Sequence, residues 1–153
     1  MRTINVPGAG GIQLAHLILD VNGTLTDRGT LIPGVADRLS RLAERLALHL
    51  LTADTFGTAG RLAIELGVTV TPISNGHQKA ELVESLGADA TAAVGNGRND
   101  EAMLRAARLG IAVIGPEGAA TATVVAADVV CRSVLDALDL LLDDRALAAT
   151  LRP

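Results

Sequence analysis

Aromatic residues are almost absent from this sequence of 153 residues, which has one phenylalanine, Phe56, and no tryptophan or tyrosine. A hydrophobic core must therefore consist of Leu, Val, Ile and Ala, and the 49% content of hydrophobic residues is enough for one. The chain also lacks a basic run, and its net charge is −4. Without basic patches or aromatic side chains for stacking bases, the composition argues against a nucleic-acid partner.

Cysteine and long hydrophobic runs are scarce as well. The single cysteine, Cys131, excludes an internal disulfide and is expected to be a small core residue. Charges and glycines interrupt every aliphatic run before it reaches the length needed to span a bilayer. No apolar stretch with a small-residue cleavage site follows residues 1–6, as it would in a secretory signal. We therefore expect a cytoplasmic protein that does not bind membranes.

Hydrophobic periodicity predicts strands that alternate with helices. A hairpin is expected within residues 1–14, where two apolar stretches flank Pro7 and four nearby small residues. The expected strands are 17–19, 48–51, 68–73, 91–94, 110–114 and 129–131, and the expected helices are 35–46, 56–66, 77–86, 100–108, 118–126 and 134–151, the last broken near residues 143–144. Such alternation predicts a single domain, residues 1–153, with a doubly wound, Rossmann-like parallel sheet and helices on both faces.

The chain is organised around residues 16–26, HLILDVNGTLT. An apolar run ends abruptly at Asp20, as in a buried parallel strand that delivers a polar group to the sheet edge. Ligands of such sheets bind outside the carboxyl ends of the strands. The alternative is a hairpin, because Asn22-Gly23 is a strong turn signal and residues 24–32 would supply the return strand.

Further polar positions follow the other predicted strands. Thr52 ends the second strand, Lys79 opens a helix, and Asp100 closes the loop at residues 95–100. A carboxylate, a hydroxyl, an ammonium and a second carboxylate at one sheet edge suit phosphoryl transfer, which needs a nucleophile, donors to phosphate oxygens and a cation site. No Walker loop with Lys-Ser/Thr is present, so a P-loop enzyme is excluded.

The motifs resemble those of the haloacid dehalogenase (HAD) superfamily of phosphatases. DVNGTLT at residues 20–26 resembles its first motif, LLTAD at 50–54 its second, Lys79 its third and VGNGRNDEAML at 94–104 its fourth. The likeness is greatest to the phosphorylation domain of P-type ATPases and extends over residues 17–130. About thirty residues separate the first two motifs, where the pumps insert a nucleotide-binding domain. The resemblance implies a soluble, capless, P-type-ATPase-like member with a flap at residues 24–33.

This resemblance also implies roles for individual residues. Asp20 would be the nucleophile, and Mg²⁺ would be the cofactor. The phosphate would be held by Gly23, Thr52, Ala53 and Lys79, and the metal by Asp20, the carbonyl of Asn22, Asn96 and Asp100. Expected partners are a small phosphorylated substrate or phosphodonor and, since capless members often close their sites with a neighbouring subunit, a second copy of the chain.

Two positions depart from the family pattern. Asn22 stands where the phosphatases carry an aspartate that protonates the leaving group and then activates water; the pumps carry threonine there. Positioned acid–base catalysis contributes about 10²–10⁴-fold, or roughly 3–5 kcal/mol, so slow turnover is expected. Asn96 stands where the family has a metal-binding aspartate. Magnesium prefers carboxylate oxygens, so weaker metal binding is expected.

Three functions fit these motifs to different degrees. The first is a slow, magnesium-dependent phosphohydrolase that uses an aspartyl phosphate on Asp20. The second is a regulatory or binding protein that keeps the fold and accepts phosphate without releasing it. The third, a response-regulator receiver, is disfavoured because receivers need an acidic pair at the end of the first strand.

Each candidate residue also has a structural interpretation. Asp20 would end a strand, Thr52 would be an ordinary hydroxyl, Lys79 would be a solvated lysine paired with Glu81 or Glu84, and Asp100 would be a first-turn acid favoured by the helix dipole. The weaker candidates are interpreted as mostly structural or surface residues: Asp54, His77, Arg98, His16 and His49.

Overall fold

The computed structural model describes residues 1–53 and 58–153, except for the side chain of residue 58. The strands are β1 (Arg2–Val6), β2 (Gly10–Leu14), β3 (His16–Asp20), β4 (Thr26–Asp27), β5 (Thr30–Leu31), β6 (Ala47–Thr52), β7 (Val70–Pro72), β8 (Thr91–Gly95), β9 (Leu109–Val113) and β10 (Val129–Cys131). The helices are α1 (Val35–Ala43), α2 (Thr58–Leu66), α3 (Gly76–Leu86), α4 (Glu101–Ala106), α5 (Thr121–Ala126), α6 (Val134–Leu142) and α7 (Asp144–Leu151). Short 3₁₀ turns cover Ala88–Ala90 and Arg98–Asp100.

Six strands form one parallel sheet in the order β10-β9-β8-β3-β6-β7. From β3 the chain proceeds outward to β6 and β7, then returns to β8 on the other side of β3. The strand order therefore reverses beside β3, and such a switch point is where ligands bind in open α/β sheets. The predicted doubly wound α/β fold is confirmed.

The central strand β3 is covered on both faces. Leu17 and Leu19 are fully buried in one hydrophobic cluster, which includes residues of α1, α6 and α7. Ile18 is fully buried in a second cluster, which includes residues of α3 and α4. Because adjacent strand residues point to opposite faces, the unbroken apolar run of β3 requires a helical layer on each side.

Two hairpins flank the sheet. β1 and β2 pair in antiparallel fashion at residues 2–14, and Arg2 forms a hydrogen bond of 2.6 Å with Asp144 at the start of α7. β4 and β5 form a smaller antiparallel hairpin directly after the β3 loop, with Thr26 opposite Leu31. The smaller hairpin lies where the sequence predicts the flap.

Several helices are shorter than the periodicity predicts. The 35–46 helix ends at Ala43, the 100–108 helix covers only Glu101–Ala106 after a 3₁₀ turn, and the 118–126 helix begins at Thr121. The predicted break in the last helix is confirmed, because the side chain of Asp143 accepts hydrogen bonds from the first amides of α7. Apolar spacing identified these helices, but local hydrogen bonds determine where they end. Phe56 and Asp54 lie outside the described residues.

The longest helix that the structure describes, α3, has 11 residues. Within residues 1–53 and 58–153, no helix has both the length and the apolar character required to cross a membrane. Cys131 is a buried free thiol in β10, as expected of a small core residue.

Candidate functional site

The carboxyl ends of three neighbouring strands meet at the switch point. β3 ends at Asp20, β6 ends at Thr52 and β8 ends at Gly95. Asp20 is paired in register with Leu51, the residue before Thr52. Because the strands are parallel and adjacent, the side chains at and just beyond these three ends share one edge of the sheet.

Lys79 connects two carboxylates at this edge. Its Nζ donates to Oδ1 of Asp20 at 2.7 Å and to Oδ1 of Asp100 at 2.6 Å. The side chains of Lys79, Asp20 and Asp100 are only 1%, 8% and 0% exposed. A buried ammonium between two carboxylates is not a solvated surface lysine, and that interpretation is wrong. Lys79 is moreover the only lysine of the chain.

Helix α3 carries Lys79 to the site through a close approach to the loop after β8. The helix begins after Asn75, whose side chain accepts a hydrogen bond from the amide of Gln78. A Cβ on Gly76 would lie 2.5 Å from the carbonyl oxygen of Asn99. Glycine at position 76 therefore lets the helix approach the loop, and Lys79 follows on its first turn.

Asp100 organises the same loop. Its Oδ2 accepts hydrogen bonds from the amides of Asn96 and Gly97, both at 3.0 Å. A Cβ on Gly95 would lie 2.5 Å from the Asp100 carboxyl group, so this close packing requires glycine. With Lys79 on Oδ1, both carboxylate oxygens are occupied. Asp100 does lie at the start of α4, as its structural interpretation predicts, but it is fully buried there. Its role as a metal ligand stays a prediction.

The predicted phosphate-binding residues lie around the first motif. The side-chain nitrogen Nδ2 of Asn22 donates a hydrogen bond to Oγ1 of the buried Thr52 at 3.0 Å. Gly23 is buried and has a φ of +75°, a left-handed conformation that favours glycine. Ala53 follows Thr52 and is exposed. The structure thus places Asn22 beside Thr52, whereas the roles of these residues toward phosphate stay predictions.

Thr24 is a site residue that the sequence reasoning missed. Its hydroxyl is fully buried and lies 3.0 Å from both Oδ2 of Asp20 and Oδ1 of Asn96. A hydroxyl has one proton, so at any moment only one of these two oxygens can receive it. The available signal was the position of Thr24 within the DVNGTLT motif, four residues after Asp20.

The charges of the buried cluster shift its acid–base equilibria. Burial, reinforced by the nearby Asp100 carboxylate and opposed by Lys79, raises the pKa of Asp20 from 3.8 to about 6. Burial acts to lower the pKa of Lys79, but the Asp20 and Asp100 carboxylates outweigh it and the pKa of Lys79 is raised. Lys79 is therefore a cation at neutral pH, and Asp20 is mostly ionised there.

The donor set around Asp20 suits a hard cation. Within the described part of the chain, no three His, Cys, Asp or Glu side chains are close enough to hold a metal ion together. Even so, Oδ2 of Asp20 and Oδ1 of Asn96 are two oxygen acceptors that share the one proton of Thr24, and oxygen ligands are those that Mg²⁺ prefers. The residues present fit such an ion.

The weaker candidates lie away from this cluster. His77 is 82% exposed and pairs with Glu81 at 3.1 Å. His77 and Arg98 line a cavity of about 540 Å³, and the four central residues Asp20, Thr52, Lys79 and Asp100 are not among its lining residues. His16 and His49 pair with each other at 3.2 Å, and His16 begins β3 at the edge opposite Asp20.

Solved structures with similar folds include phosphatases and an ion pump. A hydrolase of the HAD superfamily (subfamily III A) from Legionella pneumophila superposes with a TM-score of 0.69 at 20% identity, over 92% of this chain and 88% of that one. The 3-deoxy-D-manno-octulosonate 8-phosphate phosphatase of Moraxella catarrhalis, solved with magnesium, phosphate and KDO, gives 0.65 at 22% identity, over 91% and 94%. At these identities the likeness shows the fold alone.

A zinc-transporting PIB-type ATPase in its E2.Pi state superposes with a TM-score of 0.65 at 29% identity. The match covers 79% of this chain but only 20% of the pump. This chain therefore corresponds to about one fifth of that protein, and nothing about transport follows from the likeness.

One curated relative has higher identity over a shorter segment. An uncharacterized protein of Methanocaldococcus jannaschii is 53% identical over 60 residues, which are 39% of this chain and 64% of the relative. No family model matches the sequence.

Proposed function

We propose that this chain, which has the capless fold of the haloacid dehalogenase superfamily, is a slow magnesium-dependent phosphohydrolase that acts through an aspartyl phosphate on Asp20. The observation that carries the proposal is the buried contact of Lys79 Nζ with Oδ1 of Asp20 at 2.7 Å, with Asp100 on the other side of the ammonium. A lone structural carboxylate would not require a buried cation held by a second acid. The substrate would be a small phosphate ester or acyl phosphate.

In the first step, a carboxylate oxygen of Asp20 attacks the phosphorus atom. The bond from phosphorus to the leaving group breaks, and the leaving group departs with its electron pair. Lys79 offsets the negative charge of the phosphoryl oxygens, and the hydroxyl of Thr52 and the amide of Gly23 donate to them. Mg²⁺, when bound beside Asp20 and Asn96, would further neutralise the phosphoryl charge.

In the second step, water attacks the phosphorus of the aspartyl phosphate and releases inorganic phosphate and the Asp20 carboxylate. The amide of Asn22 cannot take the proton of this water, nor can it protonate the leaving group in the first step. Solvent water must therefore accept the proton of the attacking water and supply the proton of the leaving group. With acetyl phosphate, whose acetate leaving group needs no proton, only the second step is slowed, by a barrier about 3–5 kcal/mol higher. The aspartyl phosphate is therefore expected to accumulate.

One specific observation favours the regulatory alternative. The amide of Asn22 is engaged with Oγ1 of Thr52 at 3.0 Å, which fixes it as a hydrogen-bond donor within the site. A protein with this arrangement would accept a phosphoryl group and keep it. The two functions differ only in the fate of the aspartyl phosphate.

The test is incubation with acetyl phosphate and Mg²⁺, followed by intact-mass analysis and measurement of released phosphate over time. We expect a mass increase of one phosphoryl group that hydroxylamine reverses, together with slow catalytic release of phosphate. Asp20→Asn should lose both signals, whereas Asp89→Asn, a change at an exposed aspartate, should retain them. An adduct without turnover would favour the regulatory protein. The absence of both the adduct and the released phosphate would refute both functions.

A further inference from the structure

A tight turn at residues 115–118 packs against the loop that follows Asp20. The amide of Gly118 donates to the carbonyl of Gly115 at 2.9 Å, and the reverse bond is 3.3 Å long. A Cβ on Gly115 would lie 2.5 Å from the carbonyl oxygen of Gly23. The turn therefore touches the first motif itself, although it follows β9, two strands away from β3.

This turn presents the carboxylate of Glu117 to the first motif. A Cβ on Gly23 would overlap with Oε2 of Glu117 and would lie 2.9 Å from its carboxyl carbon. In this arrangement the carboxylate of Glu117 occupies the space that a side chain at position 23 would need. Glu117 is exposed and has no hydrogen-bond or ion-pair partner among the residues that the structure describes. An acid near the site is thus left without a protein cation.

Asn96 holds the turn in this position. The side-chain Nδ2 of Asn96 donates to the backbone carbonyl oxygen of Gly118 at 3.0 Å. The backbone carbonyl of Asn96 accepts a hydrogen bond from the amide of Ala120 at 2.9 Å. A carboxylate has no N–H to donate, so an aspartate at position 96 would face the Gly118 carbonyl as a second acceptor. The amide at position 96 therefore has a structural consequence, which is to fix the turn that carries Glu117.

The balance of charge indicates what Glu117 does there. Asp20 and Asp100 contribute two negative charges and Lys79 one positive charge, so the buried cluster has a net charge of −1. Proteins usually hold Mg²⁺ with one or two carboxylates, and both oxygens of Asp100 are already occupied. Among the three acids around this loop, Glu117 alone has an uncommitted carboxylate.

We infer that Glu117 supplies the negative charge that Asn96 does not, and so completes the binding site for the divalent cation beside Asp20. Asn96 is a positioning residue for the turn. Among the described residues, no three acids are close enough to bind a metal ion together. Glu117 therefore acts through water molecules, several of which Mg²⁺ keeps when it binds to a protein. This inference rests on the proposed function only in requiring a cation at Asp20.

The test measures binding of MgCl₂ alone by isothermal titration calorimetry, so that no turnover is needed. We expect Glu117→Gln to weaken Mg²⁺ binding by about 10-fold or more, in the range for groups that orient metal ligands. Glu84→Gln, which removes an exposed acid from α3, should leave the affinity unchanged. Equal affinities of the wild type and Glu117→Gln within twofold, or no Mg²⁺ binding by the wild type, would overturn the inference.

A second variant separates charge from structure. Asn96→Asp in the Glu117→Gln background returns one carboxylate to the cluster without changing the total charge, and we expect Mg²⁺ affinity to recover. Failure to recover in a variant with an unchanged melting temperature would refute the charge assignment. Because phosphorylation of Asp20 is measured separately by mass, failure of this inference is distinguishable from failure of the proposed function.

Discussion

Nζ of Lys79 lies 2.7 Å from Oδ1 of Asp20, although 59 residues separate them in the sequence. Both side chains are almost inaccessible to solvent. Moving two charges out of water is costly, and the pair is stable only because the geometry is close and Asp100 adds a second acceptor. The ammonium is therefore the electrostatic centre of the candidate site.

Removal of this ammonium should destabilise the fold. Lys79→Met leaves two carboxylates buried side by side without a cation, and the loss of one partner of a buried pair costs about 3–5 kcal/mol. Urea denaturation at neutral pH, without added metal, measures the change. Arg38→Met is the matched control, because it breaks a more exposed pair with Asp139 and should cost much less stability than Lys79→Met. Equal losses for the two variants would contradict the role of Lys79.

Asn22→Asp should accelerate phosphate release. The substitution returns an acid–base group to the position beside Thr52, and we expect an increase of about 10²–10⁴-fold in turnover of an acyl phosphate. The accumulated aspartyl phosphate should fall accordingly in single-turnover measurements. A measurable wild-type rate that Asn22→Asp leaves unchanged would show that Asn22 does not limit the reaction.

The control for Asn22→Asp is the same chemical change at a distant site. Asn5→Asp changes an exposed residue of β1 and should not alter the rate of phosphate release. Asn22 and Asn96 each precede a glycine and are prone to deamidation. Intact mass must therefore exclude a fraction of aspartate in the wild type before any trace activity is assigned to the asparagine form.

Two glycines give opposite expectations on replacement by alanine. A Cβ on Gly110 in β9 would lie 2.5 Å from the carbonyl oxygen of Leu104, so Gly110→Ala should destabilise the protein by roughly 1–3 kcal/mol. Gly60 lies in α2 and has no described atom within 4 Å of the corresponding position. Gly60→Ala should instead stabilise the protein by about 0.5–1 kcal/mol. Thermal denaturation of the two variants checks both signs.

His49 should make stability depend on pH. Burial, and then the neighbouring His16, lower the pKa of His49 below its ordinary value of 6.5. The unfolded chain therefore binds a proton more readily than the folded protein does. This contribution to the free energy of unfolding is fully present above about pH 6.5 and is lost as the pH falls toward the lowered pKa.

Comparison of variants isolates this contribution. His49→Gln should lose less stability than the wild type between about pH 7.5 and pH 5.5, because it removes the titrating group. His77→Gln, which removes an exposed histidine, is the matched control. Denaturant titrations at several pH values provide the measurement, and parallel curves for the wild type and His49→Gln would count against the assignment.

The sequence by itself was sufficient to predict the fold and to single out the four central residues. The apolar run of residues 17–19 requires cover on both faces, and this local property predicts a parallel sheet whatever lies around it. Because strands of such a sheet end at a common edge, the positions of Asp20 and Thr52 followed from the ends of apolar runs. Lys79 and Asp100 followed from their positions at a helix start and in a loop after predicted strands. The motif resemblance gave these residues their expected roles, and the fold that it implied is confirmed by the solved structures.

Only the tertiary structure decided how these groups meet. Thr24 had only its place in the DVNGTLT motif as a signal, and Glu117 had none, since a hydroxyl in a turn and an acid in a loop are ordinary residues until their neighbours are known. The hydroxyl of Thr24 contacts Asn96, 72 residues further along the chain. Glu117 reaches the first motif because its turn packs against Gly23. Apolar spacing records which face of an element is buried; it does not record which loops touch. Contacts between loops depend on where the strands place them, and that is a property of the folded sheet.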